Sequence, residues 1–131
     1  MIKKTDWSNL YKIRIRELDS SQTKHLVVKA ILVQQLLIKY KKNRQFVRIY
    51  TEFPVTANKI ADVYIENLRT KECYAYEIQE SLTPQWLEET KKAYSNWEVP
   101  FMNTNDWVLV PLKELSNDIE TLTKQIKNII L

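Results

Sequence analysis

A chain of 131 residues, 44% of them hydrophobic, is sized for one domain with a single core and is too apolar for a disordered tail. Its formal net charge of +4 permits a nucleic-acid partner through phosphate contacts without requiring one. The absence of glycine excludes glycine-rich phosphate loops and dinucleotide fingerprints, and a lone cysteine and a lone histidine exclude an internal disulfide and Cys/His zinc sites.

Residues 1–20 mix charges with a brief alternation at Ile13-Arg14-Ile15-Arg16, readable as an edge strand or a short helix. Ser20 and Ser21 suit N-caps of a helix that runs to Tyr40. Leu26, Val27, Ala30, Ile31, Val33, Leu37 and Tyr40 give it one broad apolar face with lysines outside. Lys39, Lys41, Lys42 and Arg44 close it with charge that suits the helix dipole. Phe46 to Glu52 alternates as a strand, which Pro54 ends. Ile60 to Ile65 and Cys73 to Gln79 read as a second and a third strand, joined as a hairpin through Glu66–Lys71, with Cys73 a buried inert thiol. Thr83-Pro84 is an N-cap with proline at N1, and Leu87, Thr90, Tyr94 and Trp97 then fall on one helix face. Trp107-Val108-Leu109-Val110 reads as a buried fourth strand, and Ser116 caps a last helix carrying Ile119, Leu122, Ile126 and Ile129 on its inner face. Helices and strands in this order predict a single α/β domain over residues 1–131, with a mixed central sheet of about four strands flanked by helices. No apolar run approaches a membrane span, and Met1-Ile2-Lys3-Lys4 leads into polar residues rather than a signal-peptide core. The expectation is an intracellular protein with no membrane partner.

The segment Glu52–Ser81 carries the chemistry. Asp62 heads one apolar strand, and Glu77-Ile78-Gln79 ends the next. If the two strands pair as a hairpin, Asp62 and Glu77 become cross-strand neighbours at ~5 Å. Two carboxylates that close repel one another, and a Mg²⁺ or Mn²⁺ between them relieves the repulsion. Such an ion takes one or two carboxylates plus waters and phosphate oxygens, lowers the pKa of a bound water and offsets charge on a scissile phosphate. The plainer reading is a solvated Asp and Glu on amphipathic strands. Against it, Ala61, Val63, Ile65, Ala75 and Ile78 crowd both acids with apolar neighbours.

Glu52, Ala61-Asp62-Val63 and Glu77-Ile78-Gln79-Glu80-Ser81, set between helices, resemble the PD-(D/E)xK restriction-endonuclease-like superfamily. The Glu-x-Gln form is most similar to the CoiA-like competence nucleases, with His25 and Lys29, Ser81, Tyr94 and Trp107 in compatible places over residues 22–112. The resemblance implies a restriction-endonuclease-like fold and metal-dependent hydrolysis of phosphodiester bonds, in DNA first of all, by a domain able to act as a homodimer. It implies that Asp62 and Glu77 ligate the metal with the Ile78 carbonyl as a third ligand, that Gln79 stands in the slot of the usual catalytic lysine, and that Glu52 supports as a further acid. The chain departs from the pattern in four ways. Ala61 precedes Asp62 in place of proline, Gln79 carries no charge, no cysteine-rich zinc module is present, and Thr90 stands where those proteins tend to carry an arginine.

His25 and Lys29 share a helix face and can meet the site or hold a phosphate; the plainer reading is a surface His beside a solvated Lys. Lys91 and Lys92 could supply a displaced lysine, though Glu88 and Lys92 suit a surface pair. Lys41, Lys42 and Arg44, with a second basic cluster at Lys3, Lys4, Lys12, Arg14 and Arg16, suit a nucleic-acid backbone. Two rival readings stay open: a catalytically inactive nucleic-acid-binding module of the same fold, and a protein–protein adaptor on which the acids are ordinary surface.

Overall fold

The computed structural model describes residues 21–130. The expectations for residues 1–20, including the N-terminal basic cluster and the Ser20 cap, lie outside the described residues. Helix α1 spans Ser21–Lys39 and ends in a 3₁₀ segment at Lys41–Phe46. Strands β1 (Val47–Thr56), β2 (Lys59–Asn67) and β3 (Glu72–Gln79) follow, then helix α2 (Pro84–Ser95), strand β4 (Thr104–Pro111) and helix α3 (Ile119–Ile129). The four strands form one mixed sheet in sequence order, with β2 antiparallel to both of its neighbours, β1 and β3, and β4 parallel to β3. Helices α1 and α3 cover one face and α2 the other, so the α/β architecture expected from the element order is the one observed.

The core lies mainly between the sheet and α1 with α3. Val63, Ile65, Tyr76, Ile78 and Val110 from the sheet meet Val28, Ile31, Leu32 and Leu36 from α1 and Leu122 and Ile126 from α3. The buried stripe of α1 is rotated from the one expected. Val28, Leu32 and Leu36 are inside, whereas Leu26 is 50% exposed. Residues 26–38 are apolar at most positions, so several helical phases carry similar hydrophobicity, and the sheet decides which is buried. Lys24 belongs to the buried stripe, against the expectation that lysines stay outside; its ammonium donates to the Leu115 carbonyl, and burial lowers its pKa. The smaller second core joins Ala61, Tyr64, Cys73 and Ala75 to Tyr94 and Trp97 beneath α2.

Three boundaries differ from expectation. Phe46 lies in the 3₁₀ segment, and β1 continues through Pro54 to Thr56 because β1 is an edge strand, where a missing N–H leaves no ladder partner unmet. Asp118, not Ser116, caps α3, accepting the Thr121 amide at 3.0 Å while the Ser116 hydroxyl receives the Asp118 amide. Strand β4 is an edge with only Val110 fully buried, so the run Trp107–Val110 is half-buried rather than central.

One irregularity shapes the site. Glu52 adopts φ 52°, a left-handed backbone that a non-glycine residue enters at a cost of roughly 1–2 kcal/mol. Regular alternation would put Tyr50 and Phe53 on opposite faces. Instead both stack on Tyr64, at 6.2 and 4.3 Å between ring centroids. On β2, Ala61 and Tyr64 likewise share the α2-side core although they are three positions apart. Both strands therefore switch faces at the level of Glu52 and Asp62.

Candidate functional site

The β2–β3 ladder runs from Asn67↔Glu72 to Val63↔Tyr76, and Asp62 and Glu77 are the next two residues in that register. At this open end of the sheet, where β3 and β4 both terminate, a cleft of about 550 Å³ forms. His25, Lys59, Asp62, Glu77, Gln79 and Trp86 are among its lining residues. The cross-strand meeting expected from the hairpin thus places both carboxylates in one cleft.

Each carboxylate is held by a different layer. Asp62 is reached from the α1 side: its Oδ2 accepts the Ile78 backbone amide at 2.7 Å, and its Oδ1 lies 3.2 Å from His25 Nε2. The hydrogen bond to Asp62 raises the His25 pKa, against a smaller downward push from burial. Glu77 faces α2. It is only 4% exposed, and the Tyr94 hydroxyl donates to its Oε2. Burial, with a smaller contribution from the Asp62 charge, pushes the Glu77 carboxyl up to about 7, while the Tyr94 bond and Lys59 act in the opposite direction. Burial followed by the bond to Glu77 raises the Tyr94 pKa, so the phenol remains a neutral donor.

The other expected residues divide. Gln79 and Ser81 line the cleft, but the Gln79 side-chain amide is turned onto the Ser81 carbonyl at 3.1 Å. Glu52 is outside the cleft lining; its carboxylate is paired with Lys29, and its side chain is 62% exposed. His25 joins the site through Asp62, whereas Lys29 is paired with Glu52. Lys41, Lys42 and Arg44 sit beyond the other end of α1, about 24 Å from His25 at 1.5 Å of helix rise per residue. Lys91 and Lys92 border other surface depressions, and the i,i+4 pair formed on α2 is Gln85 with Glu89, at 3.2 Å.

Lys59 is the site residue that the sequence pattern does not reveal. Its Nζ lies 3.8 Å from Glu77 Oε1, 3.1 Å from Thr90 Oγ1 and 4.9 Å from the centre of the Trp86 ring. Three residues before Asp62 and beside Asn58, it reads as a turn lysine. What aims it is the face switch, which puts the start of β2 on the α2 side, and no residue pattern announces that switch.

Among the described residues, no group of three His, Cys, Asp or Glu side chains is placed to hold a metal ion. The oxygens of Asp62 and Glu77, with the Ile78 carbonyl, are hard donors of the kind Mg²⁺ and Mn²⁺ accept, and two carboxylates suffice when water and phosphate complete the shell. Burial holds the Glu77 proton up to about 7, and a cation against the carboxylate would favour its charged form, so the donor set fits such an ion in type. No family model, curated protein sequence or solved structure matches the chain.

Proposed function

We propose that the protein is a Mg²⁺- or Mn²⁺-dependent nuclease of restriction-endonuclease-like fold that hydrolyses phosphodiester bonds, in DNA before RNA, in a reducing intracellular setting. The observation that carries the reading is the convergence of Asp62 and Glu77 in one cleft at the end of β2 and β3, with His25, Lys59 and Gln79 around them. A divalent ion bound there supplies a more acidic water and offsets charge on the phosphate. The chain does the rest by positioning. The Ile78 amide and His25 fix Asp62, and the Tyr94 hydroxyl fixes Glu77. Gln79, released from Ser81, has an amide able to orient the attacking water. In the reaction the water oxygen bonds to phosphorus and the bond from phosphorus to the leaving sugar oxygen breaks. The water gives up a proton to solvent, and the leaving oxygen takes one from it. One such site cuts one strand at a time, so a concerted double-strand cut would suit two copies.

A second reading has its own support. The Gln79 amide donates to the Ser81 carbonyl, and both Asp62 oxygens have protein partners, as suits a binding module of the same fold without catalysis. Supercoiled plasmid separates the two. Nicking that requires Mg²⁺ or Mn²⁺, stops with EDTA and disappears in Asp62→Ala and Glu77→Ala supports the nuclease. Salt-dependent DNA binding with no cutting by the parent protein supports the module. No DNA affinity at any salt concentration defeats both and leaves the adaptor.

A further inference from the structure

A hydrolytic cleft of this kind needs positive charge aimed at the phosphate as negative charge builds on its oxygens. The residue after Ile78 is a neutral glutamine, and its amide donates to the Ser81 carbonyl. Among the described residues that line the cleft, Lys59 is the only lysine or arginine.

Its surroundings differ from those of a surface lysine. The side chain is 18% exposed at the start of β2. Its ammonium is bracketed by groups from two further elements: the hydroxyl of the fully buried Thr90 and the ring of Trp86, both from α2, and Glu77 from β3. An ammonium carries three N–H bonds. One goes to Thr90 Oγ1 at 3.1 Å, while Glu77 Oε1, at 3.8 Å, lies beyond hydrogen-bond reach. A lysine serving only to neutralise Glu77 would close that gap. Here it stops short: the Thr90 hydroxyl takes one N–H, the Trp86 ring lies against the ammonium, and donor capacity is left over on a residue that lines the cleft.

We propose that Lys59 is the catalytic cation of this cleft, donating to a non-bridging oxygen of the scissile phosphodiester and stabilising the charge that grows there as water adds to phosphorus and the leaving oxygen departs. The role rests on the nuclease reading. It moves the positive charge from β3, where Gln79 stands, to the head of β2. Trp86 and Thr90 act as positioning residues, because they hold the ammonium and touch no reacting atom.

The test is single-turnover cleavage of a fluorescein-labelled DNA duplex in saturating Mg²⁺, with DNA affinity measured separately in Ca²⁺. Lys59→Met is expected to slow cleavage by about 10²–10³-fold, the scale for loss of one preorganised transition-state donor, with DNA affinity within about threefold of the parent. Adding Gln79→Lys to that variant is expected to restore at least about tenfold, since the new ammonium enters the same cleft from β3. A Lys59→Met rate within threefold of the parent, when Asp62→Ala abolishes cleavage, overturns the inference and leaves the nuclease reading standing. A parent protein with no metal-dependent cleavage overturns both. If circular dichroism shows Lys59→Met unfolded, Thr90→Val carries the test, since it keeps the ammonium and removes its acceptor. The proposal then requires at least about tenfold slower cleavage at unchanged DNA affinity, and a parent-like rate overturns it.

Discussion

Asp62 accepts the backbone amide of Ile78 at 2.7 Å across the open end of β2 and β3. The carboxylate therefore has a structural duty besides any chemical one, and the two can be separated by substitution. Asp62→Asn keeps an oxygen acceptor for the amide and loses the charge. It should fold with near-parent stability and cut DNA about 100-fold or more slowly. Asp62→Ala leaves the amide without that acceptor and should lower the unfolding free energy by roughly 1–3 kcal/mol. Urea denaturation beside plasmid nicking checks both arms.

Glu77 gives the metal-free protein a pH-dependent stability. Its ordinary pKa is 4.5, and in the fold burial pushes it up to about 7. The folded state then holds the proton more tightly than the unfolded state. The contribution is complete below pH 4.5, declines as the pH rises and is gone above about 7, a difference of roughly 3 kcal/mol. His25, also raised, contributes in the same direction in the next window. Its share is present below its ordinary 6.5 and is lost as the pH passes its higher folded value. Glu77→Gln should flatten the stability profile between pH 4.5 and 7 and leave the later decline in place. A variant profile parallel to the parent's would contradict the assignment.

The rotation of the α1 stripe predicts an asymmetry in the helix. Leu32 is fully buried against the sheet, and Leu26 is 50% exposed. Leu32→Ala should cost about 2–5 kcal/mol, as large-to-small changes in a packed core do, and Leu26→Ala less than about 0.5 kcal/mol. Thermal and urea unfolding of the two variants decide whether the phase described for α1 is the phase in solution.

The basic turn after α1 predicts a salt effect with no effect on chemistry. Neutralising Lys41, Lys42 and Arg44 together should weaken DNA binding at low salt. It should also reduce the slope of log affinity against log salt by up to about 0.9 for each phosphate that is no longer neutralised. The single-turnover rate on bound DNA should stay within threefold. The turn stands about 24 Å along α1 from His25, so a duplex engaging both it and the cleft must span roughly seven base pairs.

Much of this arrangement is legible from the chain. Thr83-Pro84 starts α2 as its capping chemistry requires, and the expected turn within Glu66–Lys71 closes the hairpin whose register brings Asp62 and Glu77 to one end. Ile119, Leu122, Ile126 and Ile129 line the inner face of α3 as their spacing dictates. The misses have physical causes. The near-continuous apolar stretch of α1 does not fix a helical phase. Pro54 marks a strand end only where the strand is central, and β1 is an edge. The left-handed backbone at Glu52, which no glycine announces, switches the facing of β1 and β2 and sends Lys59 toward α2. The family resemblance implies that Glu52 is a supporting site acid, but its carboxylate pairs with Lys29 and lies outside the cleft lining.

Anomalous scattering from crystals soaked in Mn²⁺ tests the central claim most directly, because it asks whether the carboxylates from β2 and β3 share one ion without relying on turnover. The account predicts a single strong peak within about 2.0–2.3 Å of an oxygen from Asp62 and an oxygen from Glu77. A map with no peak there at millimolar Mn²⁺, or with Lys59 closed onto Glu77 in its place, would contradict it.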